Sequence, residues 1–129
     1  VINANQGRLV IPDHKLNLCP FDDEQEAHYL CAFLSSTPAR YMVKAYALET
    51  SVATHLLKYL RIPRFDGAQP DHMALSEASR RGHRAAQRGD ARSEEKCLAS
   101  MDCAVSNLWN LSAAEMEAMA AGLRNMSQT

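Results

Sequence analysis

The chain has 129 residues, of which 47% are hydrophobic and 22% charged, with 14 Lys and Arg against 15 Asp and Glu for a formal net charge of −1. This composition suits one domain with a modest core and excludes a disordered chain. No run approaches the ~18 apolar residues of a membrane span, and no basic residues precede an apolar run at the start, so neither membrane insertion nor a signal peptide is expected.

In chain order, residues 1–7 read as a strand and turn already under way, as in a chain that begins inside a domain. Arg8 to Ile11 and His14 to Cys19 read as two short strands. In the second, Leu16 and Leu18 alternate with Lys15 and Asn17. Pro12-Asp13 can turn between them and Pro20 ends the pair. A first helix starts at Asp22 or Asp23, whose spacing to Gln25 and Glu26 suits capping. Its apolar stripe is Ala27, Leu30, Cys31 and Leu34. Thr37 is expected to cap a second helix with Pro38 at its first position, running through Tyr41, Met42, Ala45 and Leu48.

After a joint at Glu49-Thr50-Ser51, Val52 to Leu60 reads as a short helix. Arg61 to Gly67 reads as an extended basic segment, because Pro63 pushes Ile62 away from helical geometry. A helix over Asp71 to Gln87 carries Met73, Leu75, Ala78 and Ser79 inward, with a costly Gly82 that suits close packing. Gly89-Asp90 stops it. A helix over Ser93 to Leu108 places Cys97, Leu98, Met101, Val105, Leu108 and Trp109 on or near one stripe. Ser112 to Glu115 then forms a capping box for a last helix with Met116, Met119, Ala120 and Leu123 on its apolar face. The tight Asn110-Leu111 link predicts that these last two helices form an antiparallel pair, with Trp109 between them. The expected fold is therefore α+β, mostly α: a short N-terminal strand pair followed by a bundle of five or six helices.

The charge is unevenly placed. Arg80, Arg84 and Arg88 recur at i,i+4, so three guanidinium groups line one helix face at ~6 Å intervals. Arg81 sits beside that row, and Arg61, Arg64 and Lys58 precede it. Such a row can meet phosphates bidentately, and its like-charge spacing hints at an anionic partner. The competing reading is a solvated face in which Glu77 pairs with Arg81. Tyr41 and Tyr46 suit either base stacking or half-buried helix positions.

Residues 26–86 resemble the end of the target-recognition region in large adenine-specific DNA methyltransferases of the fused restriction–modification type and related phage-defence methylases. The stretch Glu26 to Ser36 is similar to a helix ending in a leucine–asparagine–serine element, with Ser35 where asparagine is usual. His55 to Asp66 resembles a segment ending in an isoleucine–proline motif, here Ile62-Pro63. His72 to His83 resembles the helix that follows. Val105 to Met119 resembles the closing aliphatic–tryptophan–glycine–leucine–serine–x–x–glutamate stretch, with Asn110 in the glycine position. The resemblance implies that residues 1–20 end a β-rich recognition region and 21–129 form a helical C-terminal subdomain. It also implies double-stranded DNA as a partner and an N-terminal methyltransferase domain in the same polypeptide. S-adenosylmethionine would be the cofactor of that parent protein, with no cofactor in this piece.

The family's catalytic Asn- or Asp-Pro-Pro-aromatic tetrapeptide does not occur here, nor does a Gly-rich cofactor loop. No paired-carboxylate-plus-lysine nuclease constellation is present either. His14, His28, His55, His72 and His83 are dispersed, with no ligand spacing and no evident nucleophile partner. Cys19, Cys31, Cys97 and Cys103 show no CxxC pair, which suits free thiols in a reducing cytoplasm. The expectation is thus a non-catalytic piece supporting DNA target recognition, with Arg80, Arg81, Arg84, Arg88, Arg61, Arg64 and Lys58 on phosphates. The alternative is a helical protein-interaction or scaffold module packing against other domains of the same polypeptide.

Overall fold

A computed structural model describes residue 13, residues 18–46 and residues 54–127. Within them lie five α-helices: α1 (Glu24–Ser35), α2 (Thr37–Tyr46), α3 (Pro70–Gln87), α4 (Ala91–Leu108) and α5 (Ala113–Ser127). A short 3₁₀ helix (Thr54–Leu60) precedes α3. Among the described residues there is no strand, which corrects the α+β expectation to an all-helical bundle. Most of the expected strand pair, Arg8 to Ile11 and His14 to Asn17, lies outside the described residues. Its described end, Leu18 and Cys19, is exposed and not in a strand. The joint at 49–51 also lies outside the described residues.

Side-chain caps fix where several helices begin. Asp23 accepts from the Gln25 amide at 2.9 Å. Asp90 accepts from the Ser93 amide at 3.1 Å and from its hydroxyl at 2.6 Å. Ser112 and Glu115 close the expected box reciprocally, the Ser112 amide donating to Glu115 at 2.7 Å and the Glu115 amide to Ser112 at 3.3 Å. The start of α2 differs from expectation. Thr37 does not cap it; its amide and hydroxyl both donate to Asp102 of α4, at 2.6 and 2.8 Å. A carboxylate from another helix thus satisfies the first orphan amide of α2 and also holds the Thr37 hydroxyl.

The core gathers Tyr29, Ala32 and Phe33 of α1, Leu75 and Ala78 of α3, and Cys97, Met101, Ala104 and Val105 of α4, with Ala39 from α2. The α3 and α4 helices pack along each other and α1 crosses onto α3. The buried face of α1 is His28, Tyr29, Ala32 and Phe33, rotated from the expected stripe. Its aromatic rings have more area to remove from water than Ala27 or Cys31, so they take the interior. Trp109 packs edge-on against Phe33 at 5.2 Å, not between α4 and α5. The α5 helix packs on α2 instead of pairing with α4.

Candidate functional site

The expected arginine row does not stay together. Arg80 turns toward α1, with its Nη2 3.8 Å from Glu24 Oε1. Arg81 and Arg84 turn the other way and share Glu77 Oε1, at 4.0 and 3.4 Å. Exposed pairs of this kind contribute only ~0–1 kcal/mol each. Arg88 follows α3 as its C-terminal cap residue and is exposed.

Arg81, Arg84 and Arg88 form one wall of an open groove of about 410 Å³, with Glu77 on the same wall and Ser93, Lys96 and Cys97 of α4 opposite. Helical periodicity put Arg80, not Arg81, in one row with Arg84 and Arg88. It could not show that Lys96 faces the groove's arginines, because that depends on how α4 docks. Lys96 is therefore the residue that sequence reasoning missed.

Arg61, Arg64 and Lys58 are exposed, and none of them lines this groove. Their segment is pinned beside the first turns of α3. The Tyr29 hydroxyl donates to the Pro63 carbonyl at 2.8 Å, and the Asp66 amide donates to His72 Nδ1 at 3.0 Å. The Phe65 ring packs tilted against Tyr29 at 5.4 Å. Burial pushes the Tyr29 hydroxyl up to about 12, so it stays a neutral donor at any ordinary pH. From His72 to Arg84 the axis of α3 rises ~18 Å. The extended basic segment and the arginine groove therefore sit toward opposite ends of α3. Of the two tyrosines considered for stacking, Tyr41 is half-buried and Tyr46 is 64% exposed.

A second constellation has an acid–histidine–serine order. Glu24 Oε1 lies 3.5 Å from His28 Nε2, and the Ser79 hydroxyl is 2.8 Å from His28 Nδ1. His83 Nδ1 donates to the Ser79 carbonyl at 2.8 Å, and the two imidazole rings meet edge-on at 5.2 Å. Burial holds His28 below its ordinary value of 6.5, aided by His83 and Arg80 and opposed by Glu24. A nucleophile must reach a substrate, and Ser79 is only 1% exposed within the α1–α3 seam. The cluster is a polar lock between two helices. The sequence concealed it because Ser79 stands 51 residues from His28.

Among the described residues, no group of three His, Cys, Asp or Glu side chains is arranged to hold a metal ion. Cys19, Cys31, Cys97 and Cys103 are free thiols. No described helix is long and apolar enough to cross a membrane. No protein-family model, curated protein or solved structure matches the chain.

Proposed function

We propose that this chain is a non-catalytic helical interaction module that packs against another protein surface through its α2–α5 side. The observation that carries the reading is α5 itself. Its 15 residues include no buried side chain. Met116, Met119, Leu123 and Met126 stay only half-covered while the helix rests on α2. Tyr46 at the end of α2 and Tyr59 on the 3₁₀ helix are 64% and 70% exposed. Polarizable methionines and exposed aromatics suit a surface that another protein covers. The motif resemblance supports a partner within the same polypeptide, namely the implied methyltransferase domain with its S-adenosylmethionine. The division of the arginines between Glu24, Glu77 and a distant loop favours this reading over duplex DNA.

The test is a photo-crosslinking residue at Met119 or Tyr59 in the polypeptide as its gene encodes it, beside duplex-DNA binding across a salt series. The expected outcome is a protein adduct outside residues 24–127 and no salt-sensitive DNA binding. DNA binding that weakens steeply with salt, with no protein adduct, would transfer the function to DNA support.

A further inference from the structure

We propose that the α3–α4 groove binds a small, multiply charged phosphoryl compound of the diphosphate or bisphosphate class. Four cationic side chains, Arg81, Arg84, Arg88 and Lys96, face a space of about 410 Å³ that contains one carboxylate, Glu77. Among the described residues, neither Arg88 nor Lys96 has a carboxylate within salt-bridge distance. Asp90 accepts from the amide and hydroxyl of Ser93 and feels both Arg88 and Lys96 electrostatically, but pairs directly with neither. Crowding like charges this way costs free energy in the empty protein. An anion relieves that repulsion.

Charge density and shape select the ligand class. Arg81 and Arg88 stand seven residues apart, so the α3 wall of the groove is ~10 Å long. An extended acidic peptide offers carboxylates on one side only every ~6.6 Å, and would bring about two charges to four cations. Each phosphoryl group carries ~1.5–2 negative charges and three acceptor oxygens. Two linked phosphoryl groups therefore match the groove in a few ångströms, with guanidinium forks suited to bidentate contact. No aromatic side chain lines the groove, so nothing there stacks on a base. A duplex needs a longer cationic track, and the track ends where Arg80 turns to Glu24.

Glu77 is the resident competitor. Its Oε1 holds Arg84 Nη2 at 3.4 Å, and that contact must open when an anion arrives. Removing its charge is therefore expected to tighten binding, an effect that general surface charge would not single out.

The experiment is an amide NMR titration of the 129-residue chain with inorganic diphosphate, repeated with sulfate and with a short DNA duplex. Diphosphate should shift the amides of Arg84, Arg88, Ser93 and Lys96 saturably, one ligand per chain, and more tightly than sulfate. Arg88→Gln and Lys96→Gln should each weaken binding about tenfold, as loss of one charge-assisted contact does. Glu77→Gln should strengthen it several-fold, and Arg64→Gln should leave it unchanged. The side chains of Glu77, Arg88, Lys96 and Arg64 are exposed, so these variants should fold. The proposal is overturned if diphosphate gives no saturable shift, or if Arg64→Gln weakens binding as much as Arg88→Gln. It is equally overturned if the duplex occupies the groove while diphosphate does not.

Discussion

The two links that flank α4 have almost the same local structure and opposite consequences. After α3, the Asp90 amide donates to the Ala85 carbonyl and the Gly89 amide to the Ala86 carbonyl, both at 3.0 Å, with Gly89 at φ 67. After α4, the Leu111 amide donates to the Ser106 carbonyl at 2.8 Å and the Asn110 amide to the Asn107 carbonyl at 3.2 Å, with Asn110 at φ 51. Both are Schellman closures on a left-handed residue, followed at once by a side-chain cap. Yet α3 and α4 pack along each other, while α5 leaves α4 and rests on α2. A closure motif ends a helix. The faces presented on either side decide what the next helix touches. The α3 and α4 faces carry Leu75, Ala78, Cys97, Met101 and Val105 into one core, whereas α5 offers nothing that becomes fully buried.

The largest test of that contrast is truncation on the two sides. Leu75 is fully buried, and Leu75→Ala should cost ~2–5 kcal/mol through lost transfer energy and the cavity left behind. Met119 is half-covered, and Met119→Ala should cost well under half as much. Urea unfolding of both variants checks this. Similar losses would mean that α5 belongs to the core after all.

A middle-sized effect concerns the contact that ties α2 to the core. Asp102→Ala removes the acceptor for both donors of Thr37. The expected loss is ~1–3 kcal/mol, since a helix cap and a charge-assisted hydrogen bond disappear together. Because α5 rests on α2, amide exchange should quicken in both helices before it quickens in α3. Unchanged exchange in α5 would break the proposed dependence.

The glycines give a smaller test whose sign reverses between the two sides. A Cβ on Gly82 would meet Cys97 Cβ at 3.6 Å and Met101 Cε at 3.9 Å, both ordinary contacts. Gly82→Ala should therefore stabilise by ~0.5–1 kcal/mol, the usual helix preference. Close packing does not require this glycine, contrary to the sequence expectation. On Gly122, a Cβ would stand 2.6 Å from the Tyr41 ring. Gly122→Ala should destabilise by about 1 kcal/mol once overpacking is set against helix preference. Thermal unfolding checks both, and the same sign for both would refute the close approach of α5 to α2.

These sites also show what the sequence could reveal. Capping is written in adjacent residues, so Asp23 and the Ser112–Glu115 box were readable, and α3 and α4 lay close to their expected spans. Asp102 was not readable as a cap, because its partner is 65 residues away. The expected antiparallel pairing of α4 with α5 extrapolated a tight link into a packed interface, which the apolar faces do not support. The arginine face of α3 was legible from its period, but its division was not, since Glu24 approaches Arg80 from another helix. Lys96 joined the groove for the same non-local reason. The strand expectation rested partly on the alternation of Leu16 and Leu18 with Lys15 and Asn17, and alternation carries no information about what would cover such a face.

The smallest effect separates the same two regions by pH. His28 sits in the α1–α3 seam below its ordinary 6.5, with burial the main cause. The unfolded chain therefore binds the proton more readily than the folded one. The stability His28 contributes is complete above pH 6.5 and is lost as pH falls through the lower folded value. The caps respond later. Hydrogen bonds from Ser93 hold Asp90 below its ordinary 3.8, and those from Ser112 hold Glu115 below its ordinary 4.5. Their contribution is present above those ordinary values and disappears as the carboxyls protonate in the folded protein. Acidification should therefore loosen the α1–α3 seam first and the starts of α4 and α5 only in stronger acid. Residue-resolved amide exchange from pH 7 downward measures the order. His28→Asn, which keeps a side-chain acceptor near Ser79 but cannot take up a proton in this range, should flatten the first phase and leave the second. If the first phase survives in that variant, His28 is not its source and the seam's acid response belongs to another group.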